Sequence, residues 1–435
     1  MRSILAVIVL VSVAPGGSSP LGAQQLSAPE AAIVQAVDRT HDQAIALLER
    51  IVNINSGTMN FDGVREVGRV LHAEFDALGF ATEWIDGAAF GRSGHLVATK
   101  AGTGRRLLLI GHLDTVFERD SPFQVYEQIN DSIVRGPGVA DMKGGDVIIV
   151  HALGALREAD LLGDMAITVV MTGDEESSGR PLEAARRALT DAADAADIAL
   201  AFENGDNDPA TGVIARRGFT GWELRVHARP AHSSLIFSDS VGAGAIYEAA
   251  RVLNAFFTQM HEEQYLTFNP GTIVGGTEIH YDAPQSRGDA FGKTNVVPEF
   301  AVAAGDLRTI SIEQREHAKQ RMRDIVGRHL PHTSAEITFQ DSYPPLSPAA
   351  GNRQLLRELS RVSEDLGLGP MTAVDPGAAG AADVSFVAGR VEMAIDGLGL
   401  TGAGDHTVEE TANLNQLAGQ TKKAAVLMYR LTREN

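Results

Sequence analysis

Three consecutive carboxylates, Asp174, Glu175 and Glu176, stand in "MTGDEESSG" directly after the apolar run "MAITVVM". Such a triplet repels itself and is costly to desolvate, so at the end of a buried strand it reads either as a solvated turn or as a group that holds and uses a cation. Adjacent residues near a strand end point in different directions. One glutamate can then ligate a metal while the other faces a metal-bound water and takes its proton. Asp174 is open between a supporting hydrogen bond and plain exposure. In "LIGHLDTV", His112 and Asp114 lie two apart, on one face of an extended backbone. His112 can bind a metal through one ring nitrogen while Asp114 holds the other N–H. An isolated His-x-Asp is more often a hydrogen-bonded pair without metal. Asp141 sits in "GPGVADMKGG" just before a helix, where Gly136, Gly138, Gly144 and Gly145 permit close backbone approach. It fits an N-cap or, if it bridges two ions, a shared carboxylate. Glu203 leaves another apolar run in "LAFENG", and His406 stands in the Gly-rich "TGAGDHTVEE". His112, Asp141, Glu176 or its neighbour, Glu203 and His406 are all nitrogen or oxygen donors, a set that suits two Zn²⁺ ions sharing one carboxylate.

These residues need elements to position them. From about residue 30 onward, helix-period stretches such as "AAIVQAVDRTHDQAIALLERIVNI" and "VREVGRVLHAEFDALGF" alternate with short apolar, β-rich runs. "RRLLLIGHLDTV", "MAITVVMTG" and "DIALAFENG" read as buried strands, with "GDVIIVHALGALREADL" as a helix between the first two. Strand–helix–strand alternation predicts an α/β sandwich around a mostly parallel sheet flanked by helices. Active sites of open α/β sheets gather at the carboxyl ends of the strands, and four of the candidates lie there. Near Arg216 the pattern changes. "GFTGWELRVHARP" alternates like a half-exposed antiparallel strand, and helices at 240–260 and 311–330 are interleaved with β-like pieces. This reads as an inserted α+β module on a small antiparallel sheet, after which the α/β pattern resumes. The division expected is 1–23 as a signal segment, 24–215 and 337–435 as the catalytic unit, and 216–336 as the insertion.

The ordered series resembles the M20 family of metallopeptidases, and within it the glutamate carboxypeptidase-like branch, over nearly the whole mature chain. The resemblance implies that His112 in "GHLDTV" is a zinc ligand supported by Asp114, and that Asp141 in "ADMKGG" bridges two metals. It makes Glu175 the general base and Glu176 a ligand, with Glu203 and His406 completing the set. One zinc would take His112, Asp141 and Glu203, the other Asp141, Glu176 and His406, with Co²⁺ or Mn²⁺ as substitutes. The family often has a cis peptide after the bridging Asp. The insertion matches a ferredoxin-like lid and dimerisation domain. There His232 in "RPAHSS" would stabilise an oxyanion, often across a homodimer, and Asn295 in "KTNVVP" and Arg308 in "GDLRT" would contact a substrate carboxylate. Gly380 falls in the substrate pocket. Three stretches depart from the family pattern: Ser233-Ser234 after His232, Asn204 after Glu203, and the Ala-rich "DPGAAGAADVSF" around Gly380 and Asp383. The implied activity is hydrolysis of peptide or amide bonds next to a free carboxylate, on peptides or N-acyl amino acids. An N-acyl-amino-acid amidohydrolase, a dipeptidase and a catalytically silent metal-binding protein are the alternatives.

Composition is consistent with an enzyme of this size. The chain has 435 residues, 44% of them hydrophobic, enough for a large core and two domains. Its formal charge of −19 argues against nucleic acid or an anionic membrane surface as partner. It contains no cysteine, so any metal must be held by His and carboxylates. "MRSILAVIVLVSVAPGG" has one Arg and then an apolar run too short to span a bilayer, interrupted by Gly16, Gly17 and Pro20. It reads as an export signal rather than an anchor, leaving no membrane attachment after cleavage.

Overall fold

The computed structural model describes residues 26–433; the segment read as an export signal, 1–23, lies outside them. In chain order the first unit opens with α1 (Ala28–Val52) and α2 (Phe61–Ala77), then β1 (Ala81–Asp86), β2 (Gly94–Lys100) and β3 (Thr103–His112). α3 (Lys143–Glu158), β4 (Met165–Thr172) and β5 (Ile198–Ala201) follow. The second unit holds β6 (Gly218–Ala228), α4 (Ala245–Met260), β7 (Thr267–Gly276), β8 (Phe300–Thr309), α5 (Ile312–Val326) and β9 (Thr333–Asp341). The chain then returns through α6 (Ala350–Asp365), β10 (Met393–Ile395) and α7 (Leu414–Arg433).

The first sheet has the order β1-β2-β4-β3-β5-β10. β4, β3, β5 and β10 are parallel, whereas β2 runs antiparallel to both β1 and β4. The sheet is therefore mixed, with its parallel part confined to one side. The reason lies in chain length: only residues 87–93 join β1 to β2, and a parallel neighbour would need a crossover of about a dozen residues or more. Helices cover both faces. α1, α3 and α7 bury Leu48, Ile51, Ile148, Leu153, Ala425 and Met428 against one face. α3 is apolar around most of its circumference, as expected of a central helix.

The second sheet, order β7-β8-β6-β9, is antiparallel throughout. With α4 and α5 between its strands it follows the split β-α-β pattern of ferredoxin-like folds. The alternation read in "GFTGWELRVHA" is real: Trp222, Leu224, Val226 and Ala228 turn inward and pack with Val252, Phe256 and Met322 in a core of their own. β9 runs to Asp341, past the boundary at 336 expected from sequence. Most of its residues are polar and only partly covered, so its end carries no apolar signal. Among the described residues, no helix is long and apolar enough to cross a membrane.

Candidate metal centre

Parallel pairing of β3 with β4 and β5 sets His112 opposite Thr172 and Ile110 opposite Ala201. The residues that follow those strands, Asp174 to Glu176 and Glu203, therefore emerge beside His112 at one sheet edge. Asp141 comes to the same edge from the loop before α3. Gly138, at φ +75°, turns that loop, and Gly145 permits α3 to seat on β5, since a Cβ there would fall 2.0 Å from the Phe202 carbonyl. The Asp141–Met142 peptide is cis. His406 arrives from the C-terminal loop in the left-handed region, φ +62°, which His tolerates better than most residues.

The result is two donor groups that share one carboxylate: His112, Asp141 and Glu203, and Asp141, Glu176 and His406. Asp141 Oδ1 lies 3.1 Å from His112 Nε2, and Oδ2 lies 3.1 Å from His406 Nε2. Glu203 Oε1 is 3.5 Å from His112 Nε2, and Glu176 Oε2 is 3.2 Å from His406 Nε2. His112 Nδ1 lies 3.0 Å from the Asp114 carbonyl, so it carries the proton and leaves Nε2 to face Asp141. The Asp114 carboxylate is farther, at 3.6 Å. Its main partners are others: Thr58 Oγ1 at 2.6 Å, and the backbone N–H groups of Glu175 at 3.0 Å and Glu176 at 3.2 Å. Asp114 thus pins both acidic residues as well as the histidine.

The electrostatics of the cluster call for positive charge. Burial lifts Glu175 well above the usual carboxylate range, and nearby Glu203, Asp383 and Glu176 add to the effect against the pull of His112. Burial and Asp141 raise Glu203 to about 7, and burial also raises Glu176. Hydrogen bonds to Asp141 and Glu176 raise His406 to about 11. Asp141 is held below its ordinary value because bonds from His112 and His406 outweigh its burial. Glu176 Oε1 is buried with no hydrogen-bond partner. Paired imidazole and carboxylate donors around a shared acid, with one carboxylate oxygen left orphaned, fit divalent cations.

The sequence missed the supports of this cluster. Asp174 is buried and bound by Arg186 Nη1 at 2.6 Å and by the Gly179 N–H at 2.7 Å. Arg186, itself buried, also forms an ion pair with Asp383, Nε to Oδ1 at 2.9 Å, and Asp383 accepts from Thr172 Oγ1 at 2.5 Å. Arg216 donates to Asp396 at 2.7 Å and to the Gly380 carbonyl at 2.9 Å, while Asp396 accepts the Glu203 N–H at 3.1 Å. Glu410 accepts three backbone N–H groups, from Gly138, Ala140 and Asp141, at 2.9–3.1 Å. Arg186→Ala leaves Asp174 and Asp383 as buried, unpaired charges and is expected to cost about 3–5 kcal/mol in urea unfolding. A loss under about 1 kcal/mol would mean that the pair does not hold this strand end.

His232, Asn295 and Arg308 are not brought to the cluster; all three lie in the second unit. His232 and Asn295 are main-chain neighbours, through the Ser233 N–H donated to the Asn295 carbonyl at 2.9 Å. His232 Nδ1 accepts the Ser234 N–H at 3.2 Å, so Nε2 is the protonated nitrogen. The backbone N–H of Ser234 thus fixes a tautomer, and the Ser234 hydroxyl lies 2.8 Å from the same nitrogen. Arg308 donates Nε to Asp306 at 2.8 Å and stacks over Phe219 at 4.8 Å. Gly380 meets the site through its carbonyl on Arg216.

Residues 108–430 match peptidase family M20/M25/M40. The chain is 24% identical over 377 residues to carboxypeptidase G2 of Pseudomonas sp. (strain RS-16), covering 86% of each protein. It is 26% identical over 391 residues to succinyl-diaminopimelate desuccinylase of Acidiphilium cryptum (strain JF-5), covering 87% of this chain and 95% of that one. Its fold superposes with a TM-score of 0.63 on a Bacillus subtilis structure described as a dinuclear metal binding peptidase from the M20 family, at 14% identity, over 91% of this chain and 99% of that one. The chain belongs to peptidase family M20/M25/M40 and is a hydrolase of the metallopeptidase/amidohydrolase type.

Proposed function

We propose that the chain is an exported di-zinc hydrolase of carboxypeptidase type, cleaving an amide bond next to a free carboxylate. The observation that carries this reading is Asp141, whose two oxygens each face a different histidine at 3.1 Å, with the half-buried Glu175 among the same acidic groups. His112, Asp141 and Glu203 would hold one metal, and Asp141, Glu176 and His406 the other. When bound, zinc polarises the scissile carbonyl and lowers the pKa of water from about 15.7 toward 7. Glu175 takes a proton from the attacking water and passes it to the leaving nitrogen, a task suited to a carboxyl lifted by burial. His232 presents its Nε2–H to the developing oxyanion once the second unit closes as a lid, a contribution of about 3–4 kcal/mol for such donors. Arg308 offers its η nitrogens, which Asp306 leaves unused, to the substrate carboxylate. Asn295 and Gly380 line the same pocket.

The test is a panel of dipeptides, N-acyl amino acids and their C-terminally amidated counterparts, assayed with the zinc-loaded protein. Amidation is expected to lower kcat/KM at least about tenfold, and Arg308→Ala to raise KM for the acids and not the amides. Equal rates on acid and amide would overturn the carboxylate requirement. Similarity to desuccinylases over most of the chain favours, as second reading, an N-acyl-amino-acid amidohydrolase. Preference for N-acyl over peptide bonds in the panel would select it, and chelator-sensitive stability without turnover on any member would select a silent metal-binding protein.

Export is supported by the pattern of residues 1–23, and N-terminal sequencing of the mature chain tests it. A homodimer through the lid is supported by the outward apolar side chains of Phe237, Ile246, Tyr247 and Ile273. Light scattering tests it, and a monomeric mass would reject it.

A further inference from the structure

Two segments connect the second unit to the first, and they run side by side as a ribbon. Arg216 and Leu346 exchange N–H···O bonds of 3.0 Å, the Phe219 N–H donates to the Tyr343 carbonyl at 2.9 Å, and the Ser342 N–H donates to the Phe219 carbonyl at 3.1 Å. At Gly218 a Cβ would fall 2.7 Å from Pro345 N, so the two strands of the ribbon touch there. A ribbon this closely bonded moves as one piece.

Its side chains reach both carboxylate-bearing strand ends. On the outgoing segment, Arg216 holds Asp396, which accepts the Glu203 N–H. On the returning segment, the Tyr343 hydroxyl lies 2.8 Å from the Glu175 carbonyl, 2.9 Å from Arg186 Nη2 and 3.0 Å from Ser178 Oγ. Proton accounting fixes the directions. Arg186 can only donate and the Glu175 carbonyl can only accept, so the phenol gives its single proton to Glu175 and receives from Arg186 and Ser178. The ring is wedged against Phe386, centroids 5.0 Å apart. The Glu175 backbone is thereby held on both sides. Asp114, from the first unit, takes its N–H at 3.0 Å, and Tyr343, from the lid ribbon, binds its carbonyl.

We infer that Tyr343 is a positioning residue for Glu175, and that through it the ribbon transmits the position of the lid to the strand end that carries the base. This rests on Glu175 acting as base. Tyr343 contacts Glu175 and no metal-ligating side chain, so its hydroxyl bears on rate and not on metal content.

Tyr343→Phe in the full-length, zinc-loaded protein removes one hydroxyl and keeps the ring. Assayed on the free-acid panel member with the highest kcat/KM, it is expected to lower kcat about tenfold with KM within about twofold, as one lost hydrogen bond and a misplaced base would do. Zinc content stays at the parental value, and amide hydrogen exchange at 175–178 quickens about tenfold, a readout independent of turnover. Ser178→Ala, which removes a partner of the phenol but not its bond to Glu175, keeps kcat within about twofold. Parental kcat and exchange in Tyr343→Phe, loss of kcat in proportion to lost zinc, or an equal loss in Ser178→Ala would each overturn the inference. Glu175→Gln run in parallel separates the two readings. If it is inactive while Tyr343→Phe is parental, only the positioning role fails; if it is active, the base assignment fails and the positioning role with it.

Discussion

Glu175→Gln is expected to lower kcat by about 10²–10⁴-fold while the purified protein keeps its full complement of metal, and Glu176→Gln to lose the metal shared with His406. The two substitutions are isosteric and adjacent, so a merely structural explanation predicts similar outcomes for both. The geometry predicts different ones. Glu176 Oε2 lies 3.2 Å from His406 Nε2, and its other oxygen is buried without a partner. Replacing that carboxylate with an amide removes a negative donor from a group of three. Glu175 belongs to neither donor group, and burial lifts its carboxyl well above the usual carboxylate range, as suits a group that must take up a proton. Metal analysis after dialysis, beside kcat on a panel substrate, checks the pair. Normal turnover by Glu175→Gln would reject the base assignment, and full metal in Glu176→Gln would reject the ligand assignment.

The residues of this centre could be read from sequence because each leaves an apolar run or sits in a Gly-rich turn, where a carboxylate or imidazole has little structural reason to be. Their supports carry no such mark. Arg186 and Arg187 are adjacent in "EAARRAL", yet the first is buried between two aspartates and the second is 66% exposed. Glu409 and Glu410 stand side by side, the first on the surface and the second buried beneath three backbone N–H groups. Choosing within either pair needs the partner, which lies up to 272 residues away along the chain. Tyr343 acts only because β9 returns beside Phe219. Unlike these, "GPGVAD" does contain a usable signal. A loop of successive glycines aims several N–H groups inward, and these require a buried acceptor. The mixed sheet was hidden in a comparable way. β1 and β2 mix polar residues among apolar ones ("ATEWID", "GHLVATK") and lack the continuous apolar runs that marked β3, β4 and β5.

Chelation is expected to abolish turnover and to destabilise the fold more at pH 7 than at pH 5. The sign follows from the groups that hold protons in the metal-free cluster. Glu203 is raised from 4.5 to about 7, so it contributes stability that is present below about 4.5 and lost as pH rises through about 7. Glu410, raised to about 7 chiefly by burial, acts in the same direction. His406, raised from 6.5 to about 11 by Asp141 and Glu176, contributes stability that is complete below 6.5, declines above it and is gone above about 11. It therefore changes little between pH 5 and 7. A bound cation reverses the Glu203 term, because it favours the carboxylate. Between pH 5 and 7 the metal-free protein thus loses stability that the loaded protein keeps, and the gap in melting temperature widens. The same linkage makes metal uptake release protons, from Glu203 below about pH 7 and from His406 across the neutral range. Apparent affinity should then fall about tenfold for each pH unit lowered, per proton displaced. Thermal scans with and without chelator from pH 5 to 8, and proton release on adding Zn²⁺ in weak buffer, measure the two effects. A melting gap that is flat with pH, together with metal binding that releases no proton, would show that these side chains do not give up protons to a metal.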